Sequence, residues 1–194
     1  MSLSAADVDL DGDLDLYVCS HKADDLSQDA GVVSIGAAEG FVYHDANNAA
    51  ANLLLRNDIA PTGGWTFTDI TVKSGLDVNN RRFSFAAAWE DYDNDGDPDL
   101  YVANDFGRNN LYLNAGKGKF RDAAAESGVE DIAAGMSVSW GDYDQDGWMD
   151  LYVSNMLSAA GNRVAYQRNF RPQATDQNAN FQRHARGNSL FLNN

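Results

Sequence analysis

The 194-residue chain has a single cysteine and few basic residues, and each shortage excludes a class of protein. Its single cysteine, Cys19, excludes an internal disulfide framework and a CxxC metal site. Only 14 lysines and arginines stand against 29 aspartates and glutamates, which gives a net charge of −15. This balance argues against nucleic acids and anionic membrane surfaces as partners, and it favours cations or basic partners. The aromatic content of 11% is too high for an acidic disordered chain.

Long apolar runs and the familiar motifs of enzymes are also missing. No run approaches 18 apolar residues, so none is expected to cross a bilayer, and no secretion signal is recognisable. There is no HExxH, no G-x-S-x-G and no P-loop sequence. The paired carboxylates fall in recurrent loops, so no separate catalytic acid–base pair can be assigned. We therefore expect that the chain is not an enzyme.

What the sequence does contain is a repeated unit. Three stretches share one pattern: "DVDLDGDLDLYV" from Asp7, "DYDNDGDPDLYV" from Asp91 and "DYDQDGWMDLYV" from Asp142. An element flanked by asparagine follows each of them: "NLLLRN" from Asn52, "NNLYLN" from Asn109 and "NSLFLN" from Asn188. A third element occurs twice, as "FTDITVKSGL" and "FRDAAAESGV". The recurrence predicts three copies of one structural unit.

Each element reads as a short strand, because apolar and aromatic residues fill it and Gly, Asn or Asp bound it. Four short strands in about 50 residues are typical of one β-propeller blade. The predicted fold is all-β, with about three antiparallel blades of an incomplete propeller or of a fragment. Blade 1 spans about 1–76 with an insertion at 20–51, blade 2 about 77–129, and blade 3 about 130–194 with an insertion at 157–187. The third blade lacks its outer strand.

The aspartate-rich loops predict three calcium sites. Ca²⁺ takes six to eight oxygen ligands, and D-x-D-x-D-G-x-x-D offers carboxylates at positions 1, 3, 5 and 9. Glycine at position 6 permits a sharp turn, which directs the carbonyl of position 7 inward. The predicted ligands are Asp7, Asp9, Asp11, Asp13 and Asp15 in the first loop, Asp91, Asp93, Asp95, Asp97 and Asp99 in the second, and Asp142, Asp144, Asp146, Trp148 and Asp150 in the third. Position 7, which is Asp13, Asp97 or Trp148, contributes only its carbonyl.

Other interpretations of these loops are weaker. An EF-hand needs a glutamate at position 12, where this chain has Val18, Val102 and Val153. Mg²⁺ demands a stricter octahedron and keeps several waters. A solvated acidic turn without metal remains the plain alternative, but three copies in register disfavour it. We expect the calcium to be structural, holding together the two strands that flank each loop.

These residues resemble a known family. The pattern "W-x-D-Y-D-x-D-G-x-x-D-L-Y-V" followed by "N-x-L-[YF]-L-N" is similar to the FG-GAP/VCBS repeats of integrin-α-type propellers. The stretches "NLLLRND…WTFTDITVKSGL" and "SNMLSAAGNR" to "ARGNSLFLNN" look closer to the cartilage-acidic-protein-like (ASPIC/UnbV) group of secreted calcium-binding repeat proteins. The resemblance implies propeller blades, a calcium loop in each, and a secreted or cell-surface location, extracellular or periplasmic. The first copy departs from the pattern, since Ala5 replaces the tryptophan.

Both insertions follow the second strand of a blade, so we expect them on the face opposite the calcium loops. The first is acidic, with Lys22 against Asp24, Asp25, Asp29, Glu39 and Asp45. The second is basic, with Asp176 against Arg163, Arg168, Arg171, Arg183 and Arg186. Those arginines, with Tyr166, Phe170 and Phe181, suit an anion or glycan contact. Pairing with the acidic insertion or a neighbouring blade is the favoured alternative.

Three recurrent residue types have plainer explanations. His21, His44 and His184 fall in or beside the insertions, where isolated surface histidines are more common than a shared metal or acid–base site. Trp89 and Trp140 precede equivalent loops and are expected to pack in the blade core. Asn52, Asn109 and Asn188 are expected to satisfy the backbone of turns.

The function that the sequence favours is that of a calcium-binding propeller segment for extracellular recognition or adhesion. An unknown protein or glycan ligand would bind on the face opposite the calcium, and the remainder of the propeller would lie outside this chain. One alternative is the scaffold or catalytic platform of a secreted polysaccharide-active enzyme. Another is a structural spacer, although the two long insertions weigh against it.

Overall fold

The computed structural model describes residues 2–21, 45–59, 63–105, 107–167 and 175–194, and these are mostly β-structure. They form three antiparallel sheets, in which strands adjacent in sequence pair with each other. The first sheet contains β1 (Ser2–Ala6), β2 (Asp15–Cys19), β3 (Leu53–Asn57) and β4 (Phe67–Asp69). The second contains β5 (Ser84–Glu90), β6 (Asp99–Asn104), β7 (Asn110–Asn114) and β8 (Phe120–Asp122). The third contains β9 (Gly135–Gly141), β10 (Asp150–Asn155) and β11 (Ser189–Phe191).

The sheets confirm the prediction of an all-β, incomplete propeller-like fragment. Strand β5 contacts both β1 and β9, so the first strands of the three sheets lie side by side. This is the arrangement of successive blades, each of which turns its first strand inward. Over the described residues the third sheet has three strands, and it lacks the partner that β4 and β8 provide in the other two.

The helices refine one prediction. The "FTDITVKSGL" element is not a strand throughout, because β4 ends at Asp69 and a short helix, α1 (Thr71–Ser74), follows. The Asp69 carboxylate accepts hydrogen bonds from the amide and hydroxyl of Thr71, and Gly75 at φ +86° ends the helix. The second insertion forms two helices, α2 (Ala159–Ala165) and α3 (Thr175–Ala185).

Two apolar cores lie between the sheets, and the middle sheet belongs to both. Side chains alternate along a strand, so β6 turns Leu100 and Val102 toward the first sheet. Tyr101 and Ala103 point the other way and pack with Leu151 of the third sheet. All six residues of β6 are buried for this reason.

The two tryptophans confirm the prediction that they pack in the blade core. Trp89 meets Tyr17 of the first sheet edge to face, with ring centroids 6.2 Å apart. Trp140 meets Tyr101 of the second sheet in the same way at 6.1 Å. Each tryptophan therefore covers the tyrosine of the preceding sheet, which makes the contact between sheets a repeated one.

The third sheet has no such cover over the described residues. Tyr152 occupies the position of Tyr17 and Tyr101 in the repeat, yet it is 40% exposed while they are fully buried. Leu190, the counterpart of the buried Leu111, is also exposed. The outer face of the third sheet therefore exposes apolar residues whose counterparts in the other two sheets are buried.

Candidate metal centres

The three aspartate loops join the first two strands of each sheet and share one backbone conformation. The glycine at position 6 has a φ of +98° in Gly12, +94° in Gly96 and +93° in Gly147. L-residues rarely adopt such angles, so the turn requires glycine. Position 4 lies in the left-handed region as well, although its residues are Leu10, Asn94 and Gln145. The repeated backbone shows that the motif determines the shape of the loop.

The first aspartate of each loop organises the turn. In the second loop, the Asp91 carboxylate accepts hydrogen bonds from the amides of Asp95 and Gly96, both at 3.0 Å. The Asp95 carboxylate accepts one from the amide of Asp97, also at 3.0 Å. Equivalent bonds occur in the first and third loops. These contacts gather the carboxylates around one point.

The ninth aspartate is buried and ties the loop to the sheet. One Asp99 oxygen accepts from the Tyr92 amide at 2.9 Å, and the other accepts from the Asn114 amide at 2.7 Å. Asp15 and Asp150 accept the same pair of bonds in their own repeats. Burial raises the pKa of Asp99 to about 6, although these hydrogen bonds oppose the increase. Because burial disfavours the charged carboxylate of Asp99, a nearby cation would stabilise it.

Three carboxylate clusters result, with the ligand atoms of each within 4.8 Å of one another. The members are Asp7, Asp9 and Asp15; Asp91, Asp93 and Asp99; and Asp142, Asp144 and Asp146. Only oxygen atoms are offered, which suits a hard cation such as Ca²⁺. In the first cluster, Asp9 Oδ1 is buried without a hydrogen-bond partner among the described residues. Unpartnered carboxylate oxygens of this kind fit a metal ligand.

The position-3 aspartates carry the electrostatic signature of such a site. Desolvation raises the pKa of Asp9, and repulsion from Asp11 adds to it. Desolvation and then the adjacent Asp95 raise the pKa of Asp93. Asp144 behaves alike beside Asp146. A divalent cation at the centre of each cluster would relieve both the repulsion and the loss of solvation.

The three clusters do not contain every aspartate that was predicted to bind the metal. In the first two loops, Asp11 and Asp95 turn a carboxylate oxygen toward the amide of position 7. In the third loop Asp146 joins the cluster, whereas the buried Asp150 does not. The residues of position 7, which are Asp13, Asp97 and Trp148, were predicted to contribute carbonyls rather than side chains, and none of their side chains belongs to a cluster.

Sequence reasoning missed the second asparagine of the Asn-flanked element, which ends β3 and β7 and lies two residues after β11 in the third sheet. The Asn114 amide binds Asp99, while its side chain donates to the Val8 carbonyl of the preceding sheet's loop at 3.0 Å. Asn193 makes the same two bonds, to Asp150 and to the Tyr92 carbonyl. This residue links neighbouring loops. The second asparagine of "N-x-L-x-L-N" was the available signal.

The opposite ends of the sheets show the predicted role of the other asparagine. Asn52 accepts a hydrogen bond from the Ser20 amide at 2.7 Å, and Asn109 accepts from Asn104 at 2.7 Å. Asn188 accepts from Asn155 at 2.9 Å. The prediction that these residues satisfy turn backbone is confirmed.

The histidines do not form a shared cluster in the described part of the chain. His21 Nε2 lies 3.2 Å from Asp105, whereas His184 lines a cavity beside α2 and α3. His44 falls outside the described residues, as do Lys22, Asp24, Asp25, Asp29, Glu39, Arg168, Phe170 and Arg171 of the two insertions. Aspartates alone make up the metal-like groups of the described ranges.

Two described charged residues of the insertions, Asp45 and Arg183, form ion pairs with residues that lie between strands. Asp45 bridges Arg82 and Arg108 at 2.7 and 3.0 Å, and Arg183 contacts the buried Asp131 at 2.8 Å. Partial burial raises the pKa of Asp45, but the hydrogen bonds from the two arginines outweigh it and lower the pKa below its ordinary value. Asp45 therefore stabilises the fold in its charged form.

Asp45→Asn is expected to reduce the free energy of unfolding by about 1–2 kcal/mol at pH 7, because Arg82 is left buried with one anion fewer. A folded-state pKa below the unfolded value of about 3.9 gives stability that is present above that value. It is lost as the pH falls through the folded-state pKa. The deficit of the variant should therefore shrink below about pH 4, as urea denaturation at several pH values would show.

Asp58→Asn is the matched control for that series, because Asp58 pairs with the more exposed Arg56. Its effect at pH 7 should be the smaller of the two. A deficit for Asp45→Asn that stays constant down to pH 3 would contradict a role for the charged carboxylate.

Comparison with known proteins supports one part of the predicted family. A model of the FG-GAP-like repeat matches residues 91–153, which include the second and third aspartate loops. A search of curated proteins found no significant match to the chain. No helix among the described residues is both long and apolar enough to cross a membrane. An FG-GAP-like repeat is therefore present from Asp91 to Val153, around two of the three candidate metal centres.

Proposed function

We propose that this chain is a calcium-binding segment of a β-propeller that serves extracellular recognition or adhesion and has no catalytic role. The observation that carries the proposal is the presence of a carboxylate cluster in the aspartate loop of each of the three sheets. The FG-GAP-like repeat supports it, because such repeats are typical of extracellular proteins and often bind Ca²⁺. Secretion or display at the cell surface belongs to the same proposal.

Calcium would act as a structural ion at each loop. The aspartates at positions 1, 3, 5 and 9 and the carbonyl of position 7 would hold it, as proposed from the sequence. When bound, Ca²⁺ supplies positive charge that neutralises repelling carboxylates. Asp99 already joins its loop to β7 through the Asn114 amide, so an ion at Asp99 would strengthen the connection of loop to sheet.

Calorimetric titration of the full chain with Ca²⁺ is expected to show about three sites, with Kd of about 10⁻⁴ to 10⁻³ M for extracellular modules. Mg²⁺ should bind more weakly, because it demands a stricter octahedron and releases its waters reluctantly. The titration is run on chelator-treated protein at constant ionic strength, so that screening of the −15 net charge is equal throughout. A folded sample that takes up no Ca²⁺ would disprove the proposal.

The partner that completes the fold is proposed to be another blade-like sheet. Tyr152, Leu190 and Leu192 leave an apolar face on the third sheet, and the internal interfaces place a tryptophan against the equivalent tyrosine. Further repeats outside this chain would provide that cover. The second insertion would then remain available for a ligand, since it leaves β10 at the end opposite the aspartate loop.

A further inference from the structure

We propose that a pocket in the second insertion binds a carboxylate-bearing sugar; this rests on the recognition function proposed above and names its ligand. The pocket has a volume of about 660 Å³, within the range of about 300–1,000 Å³ that is usual for small-molecule sites. Its walls come from the segment after β10, from α2 and from the segment after α3. The lining residues are Leu157, Ala159, Asn162, Arg163, Tyr166 and Arg186.

Two guanidinium groups give the pocket its charge. Arg163 and Arg186 are exposed, and neither forms an ion pair with a carboxylate of the described residues. Arg183 nearby differs, because it contacts the buried Asp131. From residue 151 to residue 194 the sequence holds five arginines and a single acidic residue, Asp176. In a chain of net charge −15, this local excess of positive charge marks an anion site.

The other walls indicate which anion fits. Guanidinium forks match carboxylates with two parallel hydrogen bonds. Asn162 also lines the pocket, and its side-chain amide can pair with a sugar hydroxyl. Tyr166 and Leu157 add an apolar surface on which the C–H face of a sugar ring can pack.

A uronate sugar combines all three features, namely a carboxylate, hydroxyl donors and an apolar ring face. An acidic peptide offers carboxylates but lacks both the recurrent hydroxyls and the flat ring. The pocket therefore favours the acidic sugar over the peptide.

The negative charge of the aspartate loops does not prevent an anion from binding in this pocket. The third loop precedes β10 and the pocket follows it, so the six-residue strand separates them by about 17 Å at about 3.3 Å per residue. The Debye length is about 8 Å at physiological ionic strength, so repulsion from the loops is largely screened. Attraction to Arg163 and Arg186 acts at contact distance and persists. Higher salt should weaken binding only moderately.

The test uses the full chain saturated with Ca²⁺ and calorimetric titration with trigalacturonate. Neutral galactotriose, of matched ring geometry, is the comparison ligand. We expect the acidic trisaccharide to bind at least tenfold more tightly than the neutral one. Arg163→Gln and Arg186→Gln should each weaken trigalacturonate binding at least tenfold, while Arg121→Gln, an exposed arginine of β8, should leave it unchanged. Thermal melting confirms that each variant is folded.

Four results would overturn the inference. These are equal affinity for the neutral trisaccharide, tighter binding of its sulfated counterpart, tighter binding of triglutamate, and unchanged affinity in both pocket variants. Calcium uptake of the same sample is measured first and separates the two proposals. Normal uptake without trigalacturonate binding rejects the sugar site alone, whereas absent uptake in folded protein rejects the proposed calcium function.

Discussion

Removal of calcium by a chelator is expected to lower the Tm of the protein by at least about 10 °C. A ligand that binds only the folded state at 100 times its Kd stabilises it by about 2.7 kcal/mol per site. Three occupied clusters would together stabilise the folded protein by about three times that free energy. For a chain of this length, each kcal/mol corresponds to about 2–4 °C in Tm. Thermal melting with excess Ca²⁺ and with excess chelator measures the difference directly.

The variants Asp99→Ala and Asp97→Ala locate the source of that effect. Asp99 is buried and accepts two backbone hydrogen bonds, so its loss should remove the second site and lower the Tm in calcium. Asp97 is proposed to use only its carbonyl, so alanine should keep three sites. In chelator the Asp99→Ala deficit should be smaller, because the variant no longer buries an uncompensated carboxylate.

Two results would contradict this account. One is a Tm that is equal with and without Ca²⁺ in wild-type protein, which would leave the loops as acidic turns held by their own hydrogen bonds. The other is loss of a site in Asp97→Ala together with normal uptake in Asp99→Ala. Should Asp99→Ala fail to fold, Asp93→Ala replaces it, since Asp93 is an exposed member of the same cluster.

The loops and strands were predictable because their signals are local. A glycine at φ +94°, an aspartate that accepts from amides four and five residues ahead, and an alternating strand are all encoded within a dozen residues. Because the aspartate motif occurs in three copies, the turn that begins at Asp91 could be predicted from the sequence. The packing of Trp89 and Trp140 followed from their equivalent positions before two of the loops.

What the sequence could not show depends on contacts between distant residues. The Asn114 side chain donates to Val8, 106 positions away, and no local pattern indicates that neighbour. The pairing of Asp45 with Arg82 and Arg108 joins an insertion to the next sheet in the same way. The third cluster also differs from the first two in its members, although the motif is the same.

Trp89→Ala is expected to reduce the free energy of unfolding by about 3 kcal/mol, the lower end of the range for a large aromatic removed from a core, because Trp89 is partly buried. Trp89 packs against Tyr17 at 6.2 Å and against Phe120 at 5.9 Å, so its removal opens a cavity between the first and second sheets. The first and second sheets contact each other mainly through this core, so we do not expect them to move together and fill the cavity. Urea denaturation in excess Ca²⁺ measures the change.

Trp65→Ala is the matched control, because Trp65 is 74% exposed and its removal should change the free energy by at most about 0.5 kcal/mol. Calcium uptake by Trp89→Ala should still show three sites where the protein is folded, since the loops are closed by their own hydrogen bonds. Equal effects of the two substitutions would mean that the tryptophan does not join the sheets. The exposed Tyr152 would then no longer argue for a further sheet, because the repeated interface on which that argument depends would carry no stability.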